Sequence, residues 1–432
     1  KPRDSREYVM QKMLEDIDIA IANLPSERNV YRITKWTAMA LKSRFCLFEG
    51  TFRKYHNITA YENGAEYYLE LAAEVSHKFI TSSGYSIAKD ASDPEMNYRK
   101  LFSTMNATNT EVILAKDFNA ALDLVHNVGG AFNTATNGRY GMTKKAVAAY
   151  LMKDGSRFTD KAGWETMSFM DEVKDRDPRL AQSIITPTYV RDEETVTSPQ
   201  NMANTTTGYA PIKYLTTAAY NAYNKAEIDL ILFRAAEVYL NYAEAKAELG
   251  TLTQDDLDMS VNKLRERVGM PAMNMAEANA KPDPFLKAPA TGENTWGGFS
   301  KVATGGNEGV ILEIRRERMV ELIQEGHRYY DIIRWAEGKI FESPLYGIYV
   351  PQPENGKVIF DFNDDGTNDY CVYQKAQADV ILSKESYGYI QMHKGMGKWD
   401  EERDYLKPIP SEERSLNRNL TQNPGWKDGL DF

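Results

Sequence analysis

The stretch ILEIRRERMVELIQEGHRYYDIIRWAEGK, residues 311–339, decides how this chain folds. Glu313, Glu317, Glu321 and Glu325 recur at spacing four, which on a helix stacks them in one column. Like charges in a column repel, so arginines from this helix or another must answer them. Glu325, Arg328, Asp331 and Arg334 form a second series at spacing three with alternating sign, neighbours on one helix face. The Glu column has two readings, a metal or catalytic carboxylate site and an ion-pair seam between packed helices. Regular helical spacing favours the seam. Gly326 predicts a kink or break between two helices.

Outward from this stretch, helical periodicity covers three more regions. Residues 5–24 carry Met13, Ile17, Ile21 and Leu24; residues 35–49 put Trp36, Met39 and Ala40 on one face; residues 225–249 end at Gly250, a natural C-terminal cap. EYYLELAAEVSHKFI and AAEVYLNYAEAKAELG place small alanines at helical spacing beside tyrosines. That pattern fits stacked helix–turn–helix repeats, whose small residues let helices approach closely, and equally fits alanine-rich core helices. Long irregular stretches separate the helices: 125–142 and 190–216, rich in Asn, Thr, Gly and Tyr, and 271–306, rich in Pro, Ala and Gly. Loops of that length in a compact chain are commonly functional. Residues 356–375 alternate on either side of Asp365-Gly366, a hairpin signal. No regular βαβ alternation is present, which argues against a Rossmann or barrel core. The fold class is therefore mostly α: paired helices with long loop-rich insertions and minor β-hairpins.

Composition narrows the function. The 432 residues are 42% hydrophobic and 26% charged, as in a globular chain. Asp+Glu outnumber Lys+Arg by 62 to 52, a net charge of −10, which disfavours nucleic acid and anionic lipid as partners. No run of 18 apolar residues suits a spanning helix. Cys46 and Cys371 are too few for a disulfide scaffold or zinc ribbon, and their pairing is open; the five scattered histidines lack zinc spacing. No nucleophile elbow, P-loop, dinucleotide fingerprint or histidine-centred triad occurs. DFNDDGTND (361–369) matches calcium-loop positions through Asp361, Asn363, Asp365, Gly366 and Asp369, but Val372 stands where the bidentate Glu belongs. A plain Asp-Gly turn fits better. No cofactor is required, and a structural Ca²⁺ at 361–369 is the one candidate.

The 311–339 stretch resembles the C-terminal signature of the SusD/RagB family, ER-x-x-EL-x-x-EG-x-R-x-x-D-x-x-RW. Glu317-Arg318, Glu321-Leu322, Glu325-Gly326, Arg328, Asp331 and Arg334-Trp335 stand in register. YLKPIPSEERSLNRNLTQNPGW (405–426), VNKLRERVGMP (261–271), RITKWTAMALKSRFCLF (32–48), YLELAAEVSHKFITSSGYSI (68–87), NTEVILAKDF (109–118) and RDPRL (176–180) are similar to further family blocks, in order. The resemblance covers almost the whole chain. It implies one SusD-like domain over 1–432 on a tetratricopeptide-like scaffold. The family's secretory signal, lipid-modified cysteine and following helical segment are not among these residues, so the N-terminal part of the family domain is expected to be missing. It further implies a surface-exposed outer-membrane lipoprotein of Bacteroidetes-type bacteria that captures oligosaccharides for a SusC-like TonB-dependent transporter. Such a protein meets the membrane only through its lipid anchor and is not an enzyme. Two alternatives stand beside it: a RagB-like peptide binder and a helical-repeat carbohydrate hydrolase.

Glycan capture needs flat aromatic faces rimmed by directional polar groups. The candidates are loop residues: Trp164 in DKAGWETMSF, Trp296 in ENTWGGFS, Phe132 and Tyr140 with Asn133, Asn137 and Arg139 in the Asn/Gly loop, and Tyr209 after a threonine run. Each could instead anchor its own loop. Replacing Trp164 or Trp296 by alanine is expected to weaken binding and leave the melting temperature nearly unchanged. Trp36 and Trp335 lie in helical blocks and are expected in the core.

Overall fold

A computed structural model describes residues 1–90, 95–132, 134–287, 296–302, 305–352, 357–361, 366–367, 370–373, 381–384, 387–393, 395 and 397–430. Helices dominate it. Ser5 opens the helix Arg6–Asn23 by accepting from the Tyr8 amide at 3.2 Å, and a Thr34–Thr37 capping box opens Lys35–Tyr55. The helices Lys35–Tyr55, Ala65–Ser82 and Ala235–Glu248 pack side by side. Small residues set how closely they approach. Ala72, Ala235, Ala236, Ala243 and Ala245 are fully buried, and a Cβ on Gly50 would lie 2.8 Å from Leu69 Cγ. A polar rail crosses the same interface: the Ser43 and Ser76 hydroxyls are 2.7 Å apart, and Asn241 Nδ2 donates to Ser43 Oγ at 3.0 Å. Arg318 Nη1 continues it by donating to Asn241 Oδ1 at 2.7 Å. Trp36 and Trp335 are buried, as their helical placement requires.

The predicted helix over 225–249 is only half right. Its second part is the helix Ala235–Glu248, and Gly250 ends it with φ +74°. Its first part contains the strand Leu230–Arg234, antiparallel to Val112–Lys116. The run LILF is apolar throughout and suits a strand as well as a helix; a partner more than a hundred positions upstream settles it. The expected hairpin at 356–375 is present as the antiparallel strands Lys357–Phe360 and Tyr370–Tyr373. A three-stranded sheet that periodicity did not suggest orders Leu345–Val350, Tyr387–Met392 and Leu382–Lys384. No helix among the described residues is long and apolar enough to cross a membrane.

The glutamate column is an ion-pair seam. Gly326, at φ +85°, separates the helices Glu308–Glu321 and Arg328–Arg334. Glu317 pairs with Arg179 at 2.5 Å and Arg265 at 2.9 Å. Glu321 receives Arg267 at 2.6 Å, Arg234 at 2.7 Å and Arg179 at 3.0 Å, all buried. At the break, Glu325 does not join the Arg328 face. It turns back to Lys213 at 2.6 Å and Arg234 at 2.7 Å. Asp331 and Arg334 keep their predicted contact at 2.7 Å, and Arg334 also grips Glu244, which accepts from Trp335 Nε1 at 2.7 Å. Burial opposes ionisation of Glu321 and Glu325, but the cations outweigh it. Arg267, Arg234 and Arg179 hold Glu321 far below the carboxylate range, and Arg234 with Lys213 holds Glu325 at about 2.

Removing one member strands the others in the interior. Glu321→Gln is expected to cost about 3–5 kcal/mol, measured by urea unfolding. Carboxylates with depressed values stabilise the fold above their unfolded value and lose that contribution on protonation. The carboxylate part of the urea midpoint should therefore be fully present above roughly pH 4.5 and fall steeply from there towards the Glu325 value of about 2.

Candidate aromatic binding recess

The three-stranded sheet divides its faces. Ile348, Val350, Leu382 and Ile390 enter the core with Tyr209, Phe169 and Val320. The other face carries tyrosines. Period-two alternation puts residues three apart on opposite faces, yet Tyr346 and Tyr349 both meet Tyr389. A register shift between Tyr346 and Tyr349 reverses the alternation and brings them together. Tyr346 stacks on Tyr389 with centroids 4.5 Å apart, and Tyr349 meets it edge-on at 5.5 Å. Trp296 closes the cluster, 5.7 Å from Tyr346 and 5.6 Å from Tyr389. Tyr389 Oη donates to the Glu165 carbonyl at 2.8 Å, fastening the sheet to the 164–166 turn. These rings, with Tyr387, Glu165, Thr166, Ser383 and Lys384, line a surface recess of about 380 Å³.

Trp296 is half-buried and presents part of its ring here. Trp164 does not. It is 6% exposed and packs 5.0 Å behind Trp296, edge-on to Phe285 at 5.5 Å and near Phe158 at 6.1 Å. It supports the platform from behind. Tyr209 has no exposed surface: its hydroxyl donates to Glu172 Oε1 at 2.6 Å, and Glu172 also meets the buried Lys144. Its ring belongs to the core and has no face for a ligand. Phe132 and exposed Tyr140 meet edge-on at 5.5 Å and line a different, larger cavity. Asn137 lines a third recess with Thr134, Thr136, Asn221 and Tyr223. Arg139 Nη2 donates to the Met202 carbonyl at 3.3 Å and holds two loops together. Asn133 lies outside the described residues. Of the candidates, Trp296, Phe132, Tyr140 and Asn137 are spread over three recesses, Trp164 and Tyr209 lie in the interior, and Arg139 lines none of the three.

The tyrosines that build the recess, Tyr346, Tyr349, Tyr387 and Tyr389, were not among the candidates. LYGIYV and YGYIQM did carry a signal, since each spaces tyrosines around a glycine in a β-prone run. The bulge that gathers them left no mark.

Among the described residues, no group of three His, Cys, Asp or Glu is placed to hold a metal. Calcium-loop positions 363, 365 and 369 lie outside the described residues; Asp361 Oδ2 accepts from the Gly366 amide at 2.8 Å. Cys46 is a buried free thiol that burial pushes up to about 12, and the Cys371 side chain lies outside the described residues.

The helical scaffold carries the aromatic recess on a small loop-borne sheet. The SusD family model matches residues 85–426, and the chain belongs to that family. Two solved proteins from Bacteroides fragilis share the fold. A SusD-like protein is 23% identical with TM-score 0.63, covering 98% of this chain and 72% of that one. A SusD-like carbohydrate binding protein is 19% identical with TM-score 0.63, covering 97% and 72%. A structure with xylogluco-oligosaccharide is 15% identical with TM-score 0.58, covering 100% and 74%. No curated protein matches.

The two tryptophans should separate in stability. Trp164→Ala is expected to cost about 3–5 kcal/mol by emptying a packed site. Trp296→Ala should cost about 1 kcal/mol. Thermal or urea unfolding of the two variants checks this, and it revises the expectation that both would melt like the parent.

Proposed function

We propose that this chain captures oligosaccharides on the Trp296–Tyr346–Tyr349–Tyr389 recess and releases them uncleaved to a SusC-like TonB-dependent transporter. It would act at the outer-membrane surface of a Bacteroidetes-type cell, held there by a lipid anchor. The clustered rings carry the reading. Sugar rings present C–H faces that pack on aromatic faces, and Ser383, Lys384, Glu165 and Thr166 supply the polar rim. By analogy with base stacking, each ring contributes roughly 1–3 kcal/mol. Two or three rings then sum to roughly 2–9 kcal/mol, a weak to moderate affinity suited to a protein that must let go. The relatives add support: one is described as carbohydrate binding, and another was solved with xylogluco-oligosaccharide.

Hydrolysis is the weaker reading. Glycoside cleavage uses two carboxyl groups about 5–9.5 Å apart, and Glu165 is the one carboxylate among the described residues lining the recess.

Calorimetry against panels of oligosaccharides, xyloglucan fragments included, and of peptides tests the proposal. Oligosaccharide should bind, Trp296→Ala and Tyr349→Ala should each weaken it about tenfold or more, and no shortened product should appear. Binding confined to peptides, or release of new reducing ends, would refute it.

A further inference from the structure

A cavity of about 660 Å³ lies apart from the aromatic recess, between the break at Gly326 and the helix Lys144–Ala149. Its volume is that of a small-molecule site, commonly about 300–1,000 Å³. Met142, Ala146, Phe299, Met319, Leu322 and Ile332 make its walls apolar.

Three polar groups of the lining are of a different kind: Lys145, Arg328 and Ser343. Lys145 and Ser343 both crowd Gly297. A Cβ on that glycine would sit 2.2 Å from Ser343 Oγ and 3.3 Å from Lys145 Nζ. Lys145 Nζ donates to the Gly297 carbonyl and has no carboxylate partner among the described residues. Arg328 Nη2 reaches only the Arg315 carbonyl, at 3.4 Å. Arg328 Nη1 and Ser343 Oγ are buried and make no hydrogen bond among the described residues. Buried donors of this sort are costly to leave unused.

The nearby carboxylates are already taken. Asp331 is shared by Arg334 at 2.7 Å and Arg318 at 3.1 Å. Glu244 is held by Arg334 and Arg318. Glu337 accepts from the Lys301 amide at 2.6 Å and the Ser300 amide at 3.0 Å. Burial, reinforced by Arg328, pushes the Lys145 ammonium down to about 7. Burial also pulls Arg328 to about 10; Asp331 opposes the shift, while Arg318, Arg334 and Arg315 add to it. Among the described residues neither Lys145 nor Arg328 has an ion pair, although Asp331 also lines the cavity.

We propose that this cavity binds an organic carboxylate with an apolar tail, its head between Lys145 and Arg328 and its tail along Phe299, Met319 and Ile332. A carboxylate head answers both cations. The tail displaces water from apolar wall. A cationic or neutral amphiphile matches the walls but not the head. The assignment stands independently of what the aromatic recess binds.

Calorimetry of the full chain with laurate, below its micellar concentration, tests it. Dodecyl phosphate and dodecyltrimethylammonium carry the same tail on other heads. Laurate is expected to saturate one site and the ammonium amphiphile to show no saturable binding. Lys145→Met should weaken laurate at least tenfold. Lys145 also holds Gly297 beside Trp296, so a second variant leaves the head site intact: Ala146→Phe narrows the cavity and should weaken laurate comparably while oligosaccharide titrations stay unchanged. Failure of laurate to bind, equal binding of laurate and the ammonium amphiphile, or wild-type laurate affinity in both variants would overturn the proposal. Binding of dodecyl phosphate without laurate would overturn the carboxylate assignment.

Discussion

Arg179, Arg234 and Arg267 converge on a single buried carboxylate, Glu321, and most of the architecture is tied through that meeting. Arg179 comes from the short helix Pro178–Ala181, Arg234 from the end of a strand, and Arg267 from the end of the helix Val261–Arg267. Glu111 closes the set by taking Arg234 at 2.8 Å and Arg267 at 3.0 Å. Four segments distant in sequence are thus held in one register against the Glu308–Glu321 helix. Desolvation offsets much of the attraction in such a seam, so its main contribution is to specify geometry, while the alanine-lined helix contacts supply the apolar burial. The long excursions leave from points that this arrangement fixes.

Much of that frame was legible. Spacing four in the glutamate column required a cationic answer, and Gly326 announced the break. Which cations would answer was not legible, because Arg179, Arg234 and Arg267 carry no local sign of where they will meet. The strand Leu230–Arg234 was hidden for the same reason: its ladder partner is remote, and an apolar run alone does not choose between strand and helix.

The recess was harder. Trp296 stood out between polar residues and glycines, and it does reach the surface. Trp164 had the same local look, but Phe285 arrives from a distant segment and, with nearby Phe158, covers it. Tyr209 follows a polar run and is nonetheless swallowed, because Glu172 offers its hydroxyl a buried acceptor. In each case burial is decided by a partner the local window does not contain. The four tyrosines escaped for a different reason, since their shared face depends on one irregular step in strand pairing.

Tyr389 reaches the Glu165 carbonyl across 224 positions of chain, and Trp296 belongs to yet another segment. Contacts so far apart along the chain are entropically costly to close. The gripping face therefore has no existence in any excerpt of the polypeptide. A partly folded copy, with any of these segments out of place, lacks the assembled aromatic face.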